Sequence, residues 1–322
     1  MSPSVTVVMA TFNGERYLRE QIDSLITQTV SPKKIIVIDD HSSDQTVSLL
    51  HELLDNCPIP NMIIEHEMNK GVSKSFQDGI ELSSTDYIMI CDQDDVWDSR
   101  KIELCLKVMS SEDAMVVCNA EIVDNNLKSK EMTMFEYIRL PIRFSGDMIR
   151  LSPEKMLRMS LKRNYVTGMC MMIRADLAKK AMPAPSSMTY DTWISWVVSS
   201  YGSVVFLNKT LVLYRQHNNN VIGTQKSKEE LSNYYQHRHK DKINQYRKYM
   251  SLVEERNSVS LIEKDALQAA KFYKQRLDMD SYSVFKGVKV IFVNLIKGNY
   301  RKFTPSGIKE VLKDFAGLFY SK

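Results

Sequence analysis

A chain of 322 residues, 43% hydrophobic and 25% charged, holds one large globular domain and an appendage, a balance that excludes disordered and fibrous chains. Cys57, Cys91, Cys105, Cys118 and Cys170 show no Cys-x-x-Cys spacing and sit mostly in apolar runs, so they read as small buried side chains in a reducing compartment rather than as a disulfide framework. The net charge of +4 conceals an asymmetry: residues 226–322 carry 20 Lys+Arg against 11 Asp+Glu, or +9, while residues 1–225 carry 23 against 28, or −5.

Residues 1–4 lead straight into a strand, Val5 to Ala10, without a basic n-region or a long apolar h-region, which predicts a cytoplasmic start. Thr11-Phe12-Asn13-Gly14 then has turn chemistry, and Leu18, Ile22, Leu25 and Ile26 recur at helical spacing. The pattern repeats with a strand at Lys34 to Asp39 and a helix carrying Val47, Leu49, Leu50 and Leu53. It repeats again with Met62-Ile63-Ile64 and a helix from Gly71 to Leu82, and reaches a fourth strand at Tyr87 to Cys91. Strands that are apolar throughout and alternate with helices predict an α/β fold with a parallel sheet covered on both faces.

The second half is less regular. Ala114 to Cys118 reads as a strand, Lys128 to Arg150 as an irregular lobe, Asp191 to Ser200 as an aromatic helix, and Val204 to Leu207 and Leu211 to Tyr214 as two short strands. Beyond Thr224 the chain turns to Lys, Gln, Glu and Tyr, which favour helices, so a domain boundary is expected near residue 225. The expected domains are 1–225 and a basic helical region, 226–322. Val, Ile, Leu and Phe interspersed with Lys in Ser283 to Lys297 and Ile308 to Tyr320 give that region two readings, membrane association or oligomerisation, and nucleic acid is not an expected partner.

The chemistry concentrates after the fourth strand, where the apolar run breaks into Asp92-Gln93-Asp94-Asp95 before Val96-Trp97. Carboxylates this close repel and raise one another's pKa unless a cation sits among them. Hard oxygen ligands on a loop suit Mg²⁺ or Mn²⁺, which take further ligands from a substrate's phosphates, and the carboxyl end of a parallel strand is where such sheets bind ligands. The plain alternative is an acidic turn capping the next helix. No Gly-x-x-x-x-Gly-Lys-Ser/Thr loop occurs and the first strand does not end in Gly-x-Gly-x-x-Gly, so kinase and dehydrogenase readings lose their main support.

The ordered set Val7 to Gly14, Ile38 to Thr46, Asn69-Lys70-Gly71-Val72, Cys91 to Trp97, Thr167-Gly168, Tyr190 to Trp193 and Tyr214-Arg215-Gln216-His217 resembles glycosyltransferase family two, the inverting enzymes of GT-A fold, and within it the bacterial rhamnosyltransferase-like branch. The resemblance covers about the first 225 residues. It implies that Asp40 accepts the N3–H of a pyrimidine base, that Ala10, Thr11 and Phe12 lie along base and ribose, and that Gln93 joins the nucleotide site; because the family's common Arg-Asn pair is absent, cationic help with the diphosphate is expected from Lys70 or Lys74. It implies a metal pair at Asp92 and Asp94 completed by His217, a catalytic base at Asp191, and an acceptor side at Thr167 and Gly168, which Trp193, beside the expected base, would extend as a platform for the acceptor sugar. Trp193 has an alternative reading as core, because Trp193 and Trp196 stand at helical spacing.

The resemblance further implies a divalent-metal-dependent transfer, with Mn²⁺ or Mg²⁺, of a sugar from a dTDP- or UDP-linked donor to a hydroxyl of a cell-surface glycan or lipid-linked acceptor. Rhamnose is the first expectation, and the place is the cytoplasm or the inner face of the membrane. The chain departs from the family where Phe76-Gln77 replaces a common Arg-Asn pair and where Tyr190 precedes the base in place of Glu. It lacks the Gln-x-x-Arg-Trp signature and any apolar run of about 20 residues, so a processive membrane synthase is not expected. Two other readings stay open: a haloacid-dehalogenase-like phosphatase using Asp92 as nucleophile, and a non-catalytic nucleotide-sugar-binding scaffold.

Overall fold

Each apolar run of the N-terminal half forms its strand in the computed structural model, which describes residues 3–186, 188–217 and 263–320 together with 243, 244, 247 and 250. β1 (Val5–Thr11), α1 (Leu18–Ile26), β2 (Lys34–Asp39), α2 (Thr46–Leu54), β3 (Asn61–Glu65), α3 (Val72–Leu82) and β4 (Tyr87–Cys91) alternate as the pattern requires. β1 runs parallel to β2 and β4, and β2 parallel to β3. Val7, Val8, Met9, Ile35 to Ile38 and Ile88 to Ile90 are buried, which is why these strands are apolar throughout instead of alternating.

The chain continues through β5 (Val96–Trp97), α4 (Lys101–Val108), β6 (Asp113–Val123), β7 (Ser129–Thr133), α5 (Met134–Tyr137), β8 (Met148–Leu151), α6 (Pro153–Ser160), β9 (Met171–Arg174), α7 (Ala175–Lys180), α8 (Tyr190–Val198) and β10 (Ser203–Arg215). The described strands make one sheet in the order β3-β2-β1-β4-β9-β6-β10-β5, with β7 on β6 and β8 on β10. The sheet is mixed rather than wholly parallel, because β9 re-enters between β4 and β6 antiparallel to both. The two strands expected at Val204 to Leu207 and Leu211 to Tyr214 are one. The exposed Asn208-Lys209-Thr210, turn-like in sequence, is carried through β10 by register shifts against β6. The lobe from Lys128 to Arg150 contains more order than expected, including α5, whose start is fixed by a reciprocal Thr133–Glu136 capping box.

Helices do fill the described part of the C-terminal region: α9 (Glu263–Asp278), α10 (Val284–Ile296), α11 (Asn299–Phe303) and α12 (Ile308–Tyr320). Phe272 packs edge-on against Tyr300, and Phe303 lies beside it. Arg276, buried among these rings, pairs with Asp314 at 2.6 Å and Glu310 at 2.9 Å. No described helix is long and apolar enough to cross a membrane.

Contacts divide the chain into two units, Met1–Met156 with Tyr165–Ala184 and Thr189–Thr224, and Leu157–Asn164 with Pro185–Met188 and Gln225–Lys322. The boundary expected near residue 225 lies outside the described residues.

Candidate active site at the carboxyl ends of the parallel strands

β1 sits between β2 and β4, so the loops leaving these strands converge at the point where the strand order reverses, the usual ligand crevice of an open α/β sheet. Thr11, at the end of β1, donates to Asp39 at the end of β2 (2.8 Å), and Ser42 closes the same carboxylate through its backbone N–H (2.8 Å) and its hydroxyl (2.6 Å). Asn13 is in the left-handed region (φ 48°), accepts from the Ser43 N–H and donates its own N–H to Ser42. Two loops from neighbouring strands are thereby locked into one rim.

Gln93 ties that rim to the acidic loop. Its Oε1 accepts the Phe12 N–H at 2.8 Å and its Nε2 donates to the Phe12 carbonyl at 3.0 Å, while the Phe12 ring is 46% exposed. Gly14 makes the close fit work, since a Cβ there would lie 2.2 Å from Gln93 Oε1.

Asp40 is buried, and much of its acceptor capacity is used within the protein. The Lys70 N–H reaches Oδ1 at 2.7 Å, the Gly71 N–H reaches Oδ2 at 2.8 Å, and His66 Nδ1 lies 2.8 Å from Oδ1. Burial works to raise this carboxyl, but these bonds outweigh it and hold it below its ordinary range. A carboxylate has about four acceptor positions, so Oδ2, which takes the Gly71 N–H, keeps a further one. His66 Nε2 continues to Asp78 at 3.1 Å, and Lys74 pairs with Asp78 at 2.6 Å. Lys74 therefore connects to Asp40 through two intervening side chains.

The acidic loop is strongly charged for its burial. Asp92 is pushed up to about 7, first by burial, then by the charges of Asp94 and Asp191; the Lys101 ammonium opposes them. Asp95 is completely buried and its carboxyl is also raised, by burial and then by Asp94 and Asp92. Its Oδ1 accepts the Arg215 N–H at 3.1 Å, whereas Oδ2 has no hydrogen-bond partner among the described residues. Asp94 meets His217, whose Nε2 lies 2.8 Å from Oδ2, and the imidazole stacks on Tyr17 with centroids 4.8 Å apart.

Arg215 bonds this loop directly, and Lys101 acts on it through its charge. Arg215, 2% exposed, donates from Nε to the Asp94 carbonyl and from Nη1 to the Asn125 carbonyl, both at 2.8 Å; Nη2 pairs with Glu20, and the guanidinium lies over Tyr17. Lys101 is fully buried, donates to the Met169 carbonyl at 2.7 Å and sits 3.2 Å from the centre of the Trp97 indole.

Asp191 lies in the first turn of α8, half-buried, with Oδ1 accepting from the Thr189 hydroxyl and from the Thr192 N–H at 2.6 Å. Burial raises its carboxyl in spite of these bonds. Its charge acts on Asp92, which brings a residue 99 positions away in sequence into the electrostatic field of the acidic loop. Gly168 packs flush on Tyr190, with a Cβ there 2.2 Å from the phenol oxygen, and Tyr190 leans on Phe76 at 4.3 Å. Trp193 is not a platform for a sugar: it is 3% exposed and donates its indole N–H to the Ala181 carbonyl at 2.6 Å, so core packing is its role.

The Glycosyl transferase family 2 model matches residues 6–181, more than half of the chain and the whole stretch from β1 through the acidic loop to α7. The chain belongs to glycosyl transferase family 2. It is therefore a glycosyltransferase, and the phosphatase and scaffold readings are not favoured. A glycosyltransferase of Rickettsia typhi is 25% identical over 230 residues, covering 69% of this chain and 67% of its relative. The dTDP-rhamnosyl transferase RfbG of Shigella flexneri is 30% identical over 146 residues, covering 40% and 48%. Among the first relatives the share of the relative's own length that is matched runs from 39% to 67%. Among solved structures, S. aureus TarS in complex with UDP superposes with a TM-score of 0.55 at 15% identity, covering 88% of this chain and 74% of that one, which supports the GT-A fold. Its complex with UDP-GlcNAc gives 0.56, also at 15% identity, covering 85% and 72%.

Arg215, Lys101, Tyr17, Asn125 and His66 are the residues of this family 2 site that motif reading passed over. Arg215 stands inside the Tyr214 to His217 match but gave no sign of its burial, and a lone Lys in an amphipathic helix reads as solvated.

Proposed function

We propose that this family 2 enzyme is an inverting, divalent-metal-assisted glycosyltransferase that moves a sugar from a dTDP- or UDP-linked donor to a hydroxyl of a cell-surface glycan or a lipid-linked acceptor. Rhamnose is the favoured sugar, in line with the similarity to a dTDP-rhamnosyl transferase. Support for a pyrimidine nucleotide comes from the fold shared with a UDP-bound protein and from the neighbouring strand ends that join Thr11 to Asp40, whose N–H donates to the Thr11 carbonyl at 2.8 Å. The enzyme would work in the cytoplasm or at the inner face of the membrane, with residues 1–225 as the transferase domain and residues 226–322 serving membrane association or oligomerisation.

One observation carries the reading: burial, and then the charges of Asp94 and Asp191, push Asp92 up to about 7, so three carboxyl groups from two distant stretches of chain share one electrostatic site. Such a cluster is poised for a cation delivered with a diphosphate. Among the described residues no three His, Cys, Asp or Glu side chains form a ready-made cage, but Asp94 and His217, 2.8 Å apart, together with Asp92, on which the Asp94 charge acts, suit an ion that takes its other ligands from substrate and water. Asp92, Asp94 and His217 would hold Mn²⁺ or Mg²⁺, which supplies Lewis-acid stabilisation of the diphosphate leaving group.

The remaining work falls to the chain itself. Gln93 and Gly14 fix the Phe12 rim against which base and ribose lie. Arg215 holds the acidic loop by the Asp94 carbonyl, so that the carboxylates stay in place when charge develops on the departing diphosphate. Asp191 takes the proton from the acceptor hydroxyl; a carboxyl raised by burial is a stronger base than an exposed one, and such assistance is worth about 10² to 10⁴ in rate. The test is a turnover panel of dTDP- and UDP-sugars with Mn²⁺, following nucleotide diphosphate release. Release from one donor class, stimulated by acceptor, supports the proposal, and nitrophenyl phosphate turnover without nucleotide release contradicts it.

A further inference from the structure

Gly287, Ile291 and Asn294 are buried, which fixes one narrow side of α10 against its own helical bundle. Phe285, Lys289, Phe292 and Ile296 stand at i, i+4, i+7 and i+11 on the same helix and so share another face. That face is open: Phe285 is 91% exposed, Ile296 82% and Phe292 53%. On α12, Ile308 and Leu312 are 61% and 67% exposed, and Phe315, next along their stripe, meets Phe292 edge-on at 6.3 Å. The two helices thus present one continuous apolar face, of a kind that soluble chains rarely leave in water without use.

Charge identifies the occupant. From Ser281 to Lys309 the chain has six Lys or Arg and no Asp or Glu, and Lys289 stands within the apolar stripe itself. A second copy docking through the same face would pack this stretch against itself, and with no Asp or Glu between Ser281 and Lys309 its cations would meet only other cations there. An anionic lipid surface meets both properties at once: aromatic and aliphatic side chains enter the boundary of headgroup and acyl chain while lysines reach up to the phosphates.

We infer that α10 and α12 dock this face on an anionic bilayer, lying in its plane rather than crossing it. No described helix has the length and apolarity to cross. The docking depends on these helices alone and on no property of the donor site, so failure of the transfer reading would leave it intact. Each basic residue close to an anionic leaflet contributes about a fivefold gain in partitioning, and added salt weakens that gain.

The test is flotation and titration of the full-length protein with vesicles of equal parts phosphatidylglycerol and phosphatidylcholine, against phosphatidylcholine alone. Binding is expected only to the anionic vesicles. Changing Lys286, Lys289 and Lys297 together to Gln should weaken it by about a hundredfold. Phe285→Ser with Ile296→Ser, both at exposed positions where the fold tolerates change, should weaken it independently of salt. Equal binding to both vesicles, binding to neither, or partitioning unchanged by both variants overturns the inference. So does a Phe285→Ser, Ile296→Ser protein that alters oligomeric state by light scattering while leaving partitioning intact, which would assign the face to self-association or another protein.

Discussion

His217 Nε2 lies 2.8 Å from Asp94 Oδ2 across a sequence separation of 123 residues, at the point where the end of β10 returns to the acidic loop after β4. Whether the imidazole ligates a metal or orients the carboxylate that does, its removal should cost the same property. His217→Ala is expected to lower Mn²⁺ affinity in the presence of nucleotide diphosphate by about 10- to 100-fold. Titration of bound Mn²⁺ by electron paramagnetic resonance reads this directly, and unchanged affinity would place His217 outside the metal site.

Asp191→Asn separates two roles for one side chain. Asparagine caps a helix about as well as aspartate, so the melting temperature should barely move. Turnover should fall by about 10² or more while donor affinity stays within a few fold. Near-parent turnover would transfer the base role to another carboxylate, with Asp95 the first to examine.

Gly14→Ala tests the rim. The added methyl group falls 2.2 Å from Gln93 Oε1 and must push the amide away from Phe12, breaking both bonds that join the two loops. A rise in KM for the donor of several fold is expected, with kcat less affected. Because Gln93→Ala breaks the same bonds, the double variant should be little worse than either single one. Fully additive effects would show that Gly14 and Gln93 act separately.

Stability should depend on pH with an unusual sign. The Asp92 carboxyl is raised from 3.8 to about 7, and Asp95 and Asp191 are displaced in the same direction. Between these values the folded state holds a proton that the unfolded chain releases. The contribution is therefore fully present below the unfolded pKa and is lost as pH rises through the folded one. Without metal, the melting temperature should fall from about pH 5 to about pH 8, and Mn²⁺ should restore more of it at the upper end, where it has no proton to displace. Scanning calorimetry in EDTA and in Mn²⁺ measures both, and a melting temperature that climbs over this window in EDTA would contradict the assignment.

The fold was legible where burial is two-sided: Ile35 to Ile38 and Ile88 to Ile90 are buried on both faces of their strands and so are apolar throughout, and a run of that kind followed by Asp is visible without coordinates. β9 was not legible, because Met171 to Arg174 is too short for its antiparallel insertion between β4 and β6 to be read from composition. The same limit applied to side chains. Arg215 reaches partners at Glu20, Asp94 and Asn125, contacts that only the closed sheet creates, and Lys101 is a buried cation whose sequence neighbours suggest a solvated helix. Trp193 shows the converse, since proximity to Asp191 in sequence suggested an exposed platform while α8 turns the indole into the core.

The central claim, that the acidic loop grips the donor diphosphate through a divalent ion, is tested most directly by isothermal calorimetry of dTDP and UDP binding to the parent enzyme and to Asp94→Ala, each with Mn²⁺ and with EDTA. The account predicts binding to the parent in Mn²⁺, loss of at least about tenfold in affinity in EDTA, and an Asp94→Ala protein that binds weakly and equally in both. Nucleotide affinity in the parent that is the same with and without metal, and is unchanged in Asp94→Ala, would contradict it.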